Sequence, residues 1–290
     1  ANGIETVSLE ADDTTTPDGT VAHTITIVDN ALKTLNVSGD ATVTITANDT
    51  TITTFSAAGM TNSKSGVSWT PANALAAAAS ITGGSGNDTL DLQNATKSVT
   101  IDGGAGVDAL TGGSGNDTIT DTSVAATGTS NTLSGGGGND TITGGDGNDT
   151  INTGTGNNTV NAGGGIDTIN DGSGNSVING GAGNDVFNAS TGNDTYNGDD
   201  GNDLFVLGAD NWSALDVIDG GAGTNSITVT GGDSDNTIET NTAGVTTNVT
   251  TITNTVGDEA DVLALANVTG LTSLVVTSGA NLGVAKVTGL

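Results

Sequence analysis

The fold of this chain is decided by residues 135–206, which read GGGGNDTITGGDGNDTINTGTGNNTVNAGGGIDTINDGSGNSVINGGAGNDVFNASTGNDTYNGDDGNDLFV. The stretch divides into nine-residue units without a register slip, each a close or loose copy of Gly-Gly-x-Gly-x-Asp-x-apolar-x. Further copies begin at Gly83, Gly103, Gly112 and, less regularly, Gly220. A fixed period this short predicts a solenoid, in which each unit adds the same structural element to a growing stack.

Each position of the nonapeptide suits a particular role. Glycines at positions 1, 2 and 4 permit positive φ and close approach of neighbouring backbones, so that several carbonyl groups can point at one ion. Asp at position 6 supplies a hard anionic oxygen, and the apolar residue at position 8 faces the core. A site built from six to eight such oxygens suits calcium. The repeat therefore predicts Ca²⁺ sites, with several ions bound along the stack.

These units resemble the RTX, or hemolysin-type, calcium-binding nonapeptide repeat. The resemblance implies an all-β fold, a right-handed parallel β-helix known as the RTX β-roll, in which two nonapeptides complete one turn. Residues 18 apart in sequence would then stack in one column and share ions. On this count the position-6 residues form two columns: Asp149, Asp167, Asp185 and Asp203 in one, and Asp140, Asn158, Ser176 and Asp194 in the other.

The two columns predict two unequal rows of calcium sites. Every member of the first column is Asp, whereas Asn158 and Ser176 replace two carboxylates of the second. If the irregular stretches 92–102 and 121–134 each count as half a turn, the first column also includes Asp88 and Asp108, and the second includes Asp117. On this count the first row is interrupted near Asp121 and closes imperfectly at Asn225. We expect one strong row of calcium sites and one weak or partly empty row.

The predicted metal ligands follow from this arrangement. The side-chain ligands are Asp88, Asp108, Asp117, Asp140, Asp149, Asp167, Asp185, Asp194 and Asp203. The backbone carbonyls expected to complete the coordination belong to Gly144, Asp146, Ala162, Gly163, Gly164, Gly165, Gly180, Gly181, Ala182, Gly183, Asp199 and Gly201.

The composition indicates how such a chain behaves without metal. Lys and Arg together number 4 against 33 Asp and Glu, which gives a formal net charge of −29. A metal-free chain with this charge should repel itself and resist collapse, so that calcium binding supplies folding energy. Phosphate recognition requires cations that this chain largely lacks, so neither nucleic acid nor an anionic membrane is an expected partner. The absence of Cys excludes disulfides and thiolate metal sites.

The sequence on either side of the repeats has a different texture. Thr and Val alternate at Thr24–Val28 and Val43–Thr46, which predicts strands. We therefore expect a solenoid with wider turns at both ends. It divides into a Thr/Val-rich segment (1–80), the calcium-binding β-roll (81–240, irregular at 92–102, 121–134 and 207–219) and the start of a further segment (241–290). The run ANALAAAA at Ala72–Ala79 indicates a short helix.

The flanks narrow the resemblance. GIETVSLEADDTT at Gly3, LKTLNVSGDATVTIT at Leu32 and the FSAAGMT stretch at Phe55 look like successive elements of the Caulobacter-type bacterial surface-layer protein. Proteins of that family leave the cell by type I secretion and crystallise into a calcium-dependent sheet on the cell surface. The resemblance implies an extracellular location in the S-layer and self-association. A cell-surface polysaccharide would be a partner only of parts outside this chain, which we expect to be a segment of a longer protein.

Catalysis is not expected within these residues. His23 is the sole histidine and alternates as a strand residue in VAHTITIV, and the zinc-protease motif His-Glu-x-x-His is absent. Paired carboxylates could cleave glycosides, but Arg is absent and aromatic residues make up only 2% of the chain, which leaves little surface for binding sugars. Two functions remain: a structural segment of a self-assembling surface-layer protein, or a calcium-rigidified stalk or binding module of an RTX adhesin or exoenzyme.

Overall fold

The computed structural model describes residues 3–12, 22–28, 31–47, 50–121, 130–208, 215–230, 246–254 and 268–276. All regular secondary structure in these ranges is β-strand. The chain divides into two compact units, Ala1–Gly154 and Thr155–Leu290. Most of the segment predicted at 241–290, and much of the irregular stretches 121–134 and 207–219, lie outside the described residues.

The first unit contains strands β1 to β14, most of which are short because the sequence turns every nine or so residues. They are β1 (Thr6–Ala11), β2 (Ala22–Ile27), β3 (Thr34–Gly39), β4 (Thr42–Ala47), β5 (Thr54–Met60), β6 (Val67–Trp69), β7 (Ala79–Thr82), β8 (Thr89–Asp91), β9 (Val99–Asp102), β10 (Ala109–Thr111), β11 (Thr118–Thr120), β12 (Thr132–Ser134), β13 (Thr141–Thr143) and β14 (Thr150–Asn152).

The second unit contains strands β15 to β25. They are β15 (Thr159–Gly164), β16 (Thr168–Asn170), β17 (Val177–Ala182), β18 (Val186–Asn188), β19 (Thr195–Asp200), β20 (Leu204–Gly208), β21 (Val217–Asp219), β22 (Asn225–Thr230), β23 (Thr246–Thr247), β24 (Val249–Asn254) and β25 (Ser273–Val276).

In each unit the strands alternate between two parallel sheets. Odd-numbered strands pair in sequence order in one sheet and even-numbered strands in the other, with β25 following β24. Thr159 pairs with Val177, 18 residues on, as expected for two nonapeptides per turn. Near the start of the chain the turns are longer, since Thr6 pairs with Thr34. The predicted parallel β-solenoid, with wider turns outside the repeats, is therefore confirmed.

The core lies between the two sheets and consists of side-chain ladders. Position 8 of each repeat is buried and stacks on position 8 of the next turn, as Ile119 does on Ile142. In the first unit the core includes a stacked pair of rings, Phe55 and Trp69, with centroids 4.6 Å apart. Trp69 and Met60 are fully buried, as expected of residues that fill a core.

Two local predictions have different outcomes. The helix predicted at Ala72–Ala79 is wrong: Leu75 is buried, the Ala76 amide donates to the Thr50 carbonyl, and Ala79 already begins β7. Pairing with neighbouring turns therefore overrides the helix propensity of alanine. His23 is confirmed as a half-buried residue of β2. None of the described residues forms a helix long and apolar enough to cross a membrane.

Candidate metal centre

Position 6 of the repeats forms two rows of polar side chains, one along each sheet. The first row comprises the residues directly before the even-numbered strands, and the second row comprises those directly before the odd-numbered strands. Position 6 ends a glycine-rich loop and precedes a strand whose first amide is engaged in sheet pairing. The position-6 side chain lies in this loop. Its hydrogen-bond partners there are mainly backbone groups of the adjacent turns.

Within each unit, position-6 amides of the first row donate hydrogen bonds to the position-6 side chain of the next turn. In the second unit the Asp167 amide donates to Asp185 Oδ1 (2.8 Å) and the Asp185 amide to Asp203 Oδ1 (2.9 Å). The Asp203 amide in turn donates to Asn225 Oδ1 (2.8 Å). The row thus ends on an amide side chain, as the sequence predicted.

The first unit repeats this pattern, with one residue that the sequence analysis missed. The Asp88 amide donates to Asp108 Oδ1 (2.7 Å), the Asp108 amide to Asn131 Oδ1 (2.9 Å), and the Asn131 amide to Asp149 Oδ1 (2.7 Å). The assignment of Asp88 and Asp108 to this row is confirmed. Near the predicted interruption at Asp121, Asn131 occupies the row: the hydrogen bonds continue through it, but the row has no position-6 carboxylate at this turn.

The second row follows the same rule. In the first unit the Asp117 amide donates to Asp140 Oδ1 (2.8 Å). In the second unit the Ser176 amide donates to Asp194 Oδ1 (2.7 Å), and the Asp194 amide to Asp216 Oδ1 (2.9 Å). Asp216 was also missed, since no nonapeptide motif precedes it in the sequence; only its place before the apolar pair Val217–Ile218 could have indicated its role.

The carboxylates of both rows are buried. The predicted Asp ligands are all between 0% and 2% exposed. The second carboxylate oxygen, Oδ2, is buried without a hydrogen bond at Asp108, Asp185, Asp194 and Asp203. Burying an anionic oxygen without a partner is unfavourable by several kcal/mol or more. These oxygens are therefore placed for a cation or a proton.

The glycine at position 1 leaves room for this second oxygen. A Cβ atom built on Gly135 would lie 2.5 Å from Asp140 Oδ2, and one built on Gly180 would lie 2.5 Å from Asp185 Oδ2. The position-1 carbonyl of the next turn converges on the same space: Thr153 O beside Gly135. A carboxylate oxygen and a backbone carbonyl thus meet in a cradle that a side chain at position 1 would fill.

Burial raises the pKa of these carboxyl groups. The ordinary value is 3.8, and desolvation raises the pKa of Asp108 to about 7 against the opposing hydrogen bond from the Asp88 amide. Desolvation is also the main cause at the other groups, where the pKa rises to about 6: Asp88, Asp140, Asp149, Asp194 and Asp203. The pKa of Asp117 and of Asp185 is raised for the same reason. In the absence of a bound cation, the fold therefore favours protonation of these rows.

This donor set fits calcium. Among the described residues no three His, Cys, Asp or Glu side chains form a group that could hold a metal alone. An ion bound in a row would need backbone carbonyls beside the carboxylates, and an all-oxygen set of this kind suits a hard cation such as Ca²⁺.

The predicted carbonyl ligands contact the backbone of adjacent turns. Gly163, Gly165 and Gly183 lie at positions 2 or 4 of their repeats. The carbonyl of each points at the glycine that stacks on it in the next turn. The carbonyl of Ala182 accepts the Gly165 amide and that of Asp199 accepts the Ala222 amide, both at 2.7 Å. A carbonyl has two lone pairs, so one hydrogen bond leaves a second site. Ligation of an ion by these carbonyls, and by the predicted Asp side chains, stays a prediction.

Comparison with known proteins agrees with this geometry. The family model of the RTX calcium-binding nonapeptide repeat matches the chain in four copies, at residues 80–93, 96–119, 126–160 and 161–196. The chain carries RTX calcium-binding nonapeptide repeats. The matched segments include the predicted Asp ligands from Asp88 to Asp194, whereas Asp203 and Asp216 lie beyond the last copy. Comparisons with curated proteins and with solved structures gave no match.

Proposed function

We propose that this chain is a structural segment of a secreted bacterial surface-layer protein, in which Ca²⁺ between stacked RTX turns drives folding and lattice assembly. The observation that carries the proposal is the pair of buried carboxylate rows inside a parallel solenoid. Such rows make the fold depend on a cation, and the repeats present in the chain are calcium-binding repeats.

The negative charge of the chain explains why a cation would favour folding. The chain carries a net charge of −29, and many of its acidic groups stack about one strand spacing apart, roughly 5 Å. Like charges this close in a buried setting oppose folding. Each bound Ca²⁺ would neutralise two charges, and its binding energy would become folding energy.

The ion gradient across the cell envelope supports an extracellular location. Extracellular calcium modules work at about 10⁻⁴–10⁻³ M, which external calcium reaches and cytosolic calcium does not. The chain would stay unfolded inside the cell, in a form that type I secretion can export, and would fold outside. Export and folding would then be governed by one gradient.

The proposed role is structural rather than enzymatic. The described residues include one histidine, His23. It is half-buried in β2 and pairs with Val43 of the adjacent turn. The carboxylates of the two rows are hydrogen-bonded to backbone amides, which suits an ion row better than acid–base chemistry on a substrate. The proposed partner is the protein itself, with neither nucleic acid nor membrane insertion involved.

A second candidate is a calcium-rigidified stalk or binding module of an RTX adhesin or exoenzyme. The regular 18-residue turns of the second unit favour it, since a continuous solenoid is a stiff spacer. The two candidates share calcium-dependent folding and differ in association.

Far-UV circular dichroism during a calcium titration, followed by negative-stain microscopy of the same samples, tests the proposal. Strand signal that appears only with calcium, together with ordered sheets, is the expected result. The same transition with dispersed monomers, verified by sedimentation velocity, would replace the surface-layer role with the stalk. Full strand signal in chelator would overturn both.

A further inference from the structure

The side chains at positions 1 and 6 of a repeat compete for the same space. Wherever position 6 is one of the predicted Asp ligands, position 1 is Gly or Ala, as in Gly103–Asp108 and Ala162–Asp167. The physical reason is that the carboxylate lies over the position-1 Cα: at Gly135 an added Cβ would lie 2.5 Å from Asp140 Oδ2. A larger side chain at position 1 therefore requires a different residue at position 6.

The first exchange of this kind involves Asp121 and Asn131. The Asp121 amide donates to the Thr143 carbonyl (2.9 Å), as the Gly103 amide does to Thr120 (3.0 Å), so Asp121 stacks on Gly103 at position 1. The first-row residue of the same turn is Asn131, which is neutral. The carboxylate that the row lacks at position 6 is thus present at position 1.

The surroundings of Asp121 place its carboxylate beside the first row. Asp121 is fully buried. In the adjacent turn Asp108 Oδ2, which has no hydrogen bond, lies over Gly103, the residue on which Asp121 stacks. Burial is the main cause of the raised pKa of Asp108 and of Asp149, and the negative charge of Asp121 adds to both. Asp121 therefore lies electrostatically between two members of the row.

The second exchange involves Asp171 and Ser176. Asp171 occupies position 1 of DGSGNSVIN, and its amide donates to the Asn188 carbonyl (3.0 Å). Ser176, at position 6, is 1% exposed and its Oγ has no hydrogen bond. In the next turn Asp194 Oδ2 is also buried without a partner. This turn of the second row again combines a neutral position 6 with a carboxylate at position 1.

Asp171 has further contacts that hold it in place. Its Oδ2 accepts hydrogen bonds from the buried Tyr196 hydroxyl (2.8 Å) and from Ser190 Oγ (3.2 Å). A carboxylate has about four acceptor sites, so these two bonds are compatible with metal ligation. A tyrosine hydroxyl and a serine on one carboxylate also fix its orientation, as outer-shell groups do for metal ligands.

We infer that Asp121 and Asp171 are calcium ligands that replace the carboxylates missing at Asn131 and Ser176. The inference rests on the calcium binding that underlies the proposed function, and is independent of lattice assembly. It revises the sequence-based expectation of a strong and a weak row, because the turn at Ser176 regains a carboxylate and the turn at Asn131 does not interrupt its row. Two turns have neither carboxylate: the turn with Thr153 and Asn158 stays a weak point of the second row, and the turn with Gly220 and Asn225 stays the weak end of the first row.

Calcium titration of variants of the whole chain tests this inference. Asp121→Asn and Asp171→Asn remove each charge with little change of shape, and Asp200→Asn removes the same charge from an exposed position at the end of β19. Bound ions per chain are measured by equilibrium dialysis, and the calcium midpoint of folding by circular dichroism. We expect each of the first two variants to bind fewer ions or to shift the midpoint upward by at least about tenfold, and Asp200→Asn to match the parent chain.

Exchange variants separate ligation from a structural role. Asp121→Gly with Asn131→Asp, and Asp171→Gly with Ser176→Asp, return the carboxylate to position 6. Recovery of the parent stoichiometry and midpoint supports the inference, even if the single variants fail to fold. It is overturned if the single variants bind like Asp200→Asn, or if the exchange variants bind no better than the single ones. A parent chain that folds with calcium but forms no sheets would affect only the proposed surface-layer role.

Discussion

At the scale of the residue, the nonapeptide combines a turn conformation that favours glycine with a buried carboxylate that needs a cation or a proton. Gly183 illustrates the first: its φ is 142°, and a Cβ there would meet the backbone carbonyl of Gly165. Asp185 illustrates the second: one oxygen accepts the Asp167 amide, and the other is buried without a partner. Gly183 and Asp185 lie two residues apart, and substitutions at the two positions should destabilise the protein for different physical reasons.

The substitution Asp185→Asn should have opposite effects on the two states of the protein. Loss of a buried charge should favour the calcium-free fold, while loss of a ligand should raise the calcium midpoint of folding by about tenfold or more. Circular dichroism during a calcium titration measures the midpoint, with Asp200→Asn as the control of equal charge. An unchanged midpoint for Asp185→Asn would contradict the assignment of Asp185 as a ligand.

The substitution Gly183→Ala should destabilise the calcium-loaded protein by about 2 kcal/mol, because it forces a side chain into a backbone conformation that favours glycine and against a carbonyl that cannot move aside. Gly164→Ala is the matched control, because position 3 of the repeats accepts other residues, as in Ala182, which pairs with Gly164 in the next turn. Urea unfolding in saturating calcium measures the difference; equal losses for both variants would contradict this account.

At the scale of the element, strands of three residues are held by stacking rather than by their own length. Each three-residue strand of the repeats offers one core side chain, such as Ile151 in β14 and Phe187 in β18. Strands this short are stable only because the next turn pairs with every backbone group and covers every core residue. The aromatic rings of the second unit contribute the largest buried surfaces: Phe187 stacks on Phe205 with centroids 4.7 Å apart and meets Tyr196 edge-on.

Phe187→Ala should therefore lower the free energy of unfolding by about 3–5 kcal/mol, because contacts are lost and a cavity is left behind. Val177→Ala, at a side chain that is 43% exposed, should change stability by less than about 0.5 kcal/mol. Thermal unfolding in saturating calcium compares the two. Similar small shifts for both would show that the ladder is not the main source of packing energy here.

At the scale of the whole molecule, the two carboxylate rows and the net charge of −29 act together. Raised pKa values of about 6 to 7, against the ordinary 3.8, mean that ionisation of these groups opposes folding. The penalty is absent below about pH 4, grows as pH rises through the folded-state values, and is complete above about pH 7. Calcium and protons are therefore alternative ways of neutralising the same oxygens.

Lowering the pH from 8 to 5 in calcium-depleted buffer should thus increase the strand content of the chain. The same change should weaken calcium binding, since protons compete for the carboxylates. Far-UV circular dichroism at the two pH values, without calcium and during a calcium titration, measures both effects. Strand signal that is lower at pH 5 than at pH 8 without calcium would contradict the raised pKa values.

The sequence by itself determined the fold class, the RTX repeats and most of the position-6 ligand candidates. It could do so because a period of nine with fixed glycines leaves one way to stack Asp140 to Asp203, whatever the rest of the chain does. Counting each irregular stretch as half a turn also placed Asp108 and Asp117 in the correct rows.

Only the tertiary structure decided which residues complete the rows. Asn131 and Asp216 lie outside intact repeats, so no periodicity marks them, and the hydrogen bonds from Asp108 and Asp194 reveal their places. The position of Asp121 at a glycine site, and the rejection of a helix at Ala72–Ala79, likewise depend on which residues lie one turn away. Contacts between turns join residues about 18 to 28 apart, and sequence pattern specifies such contacts only where the repeat is unbroken.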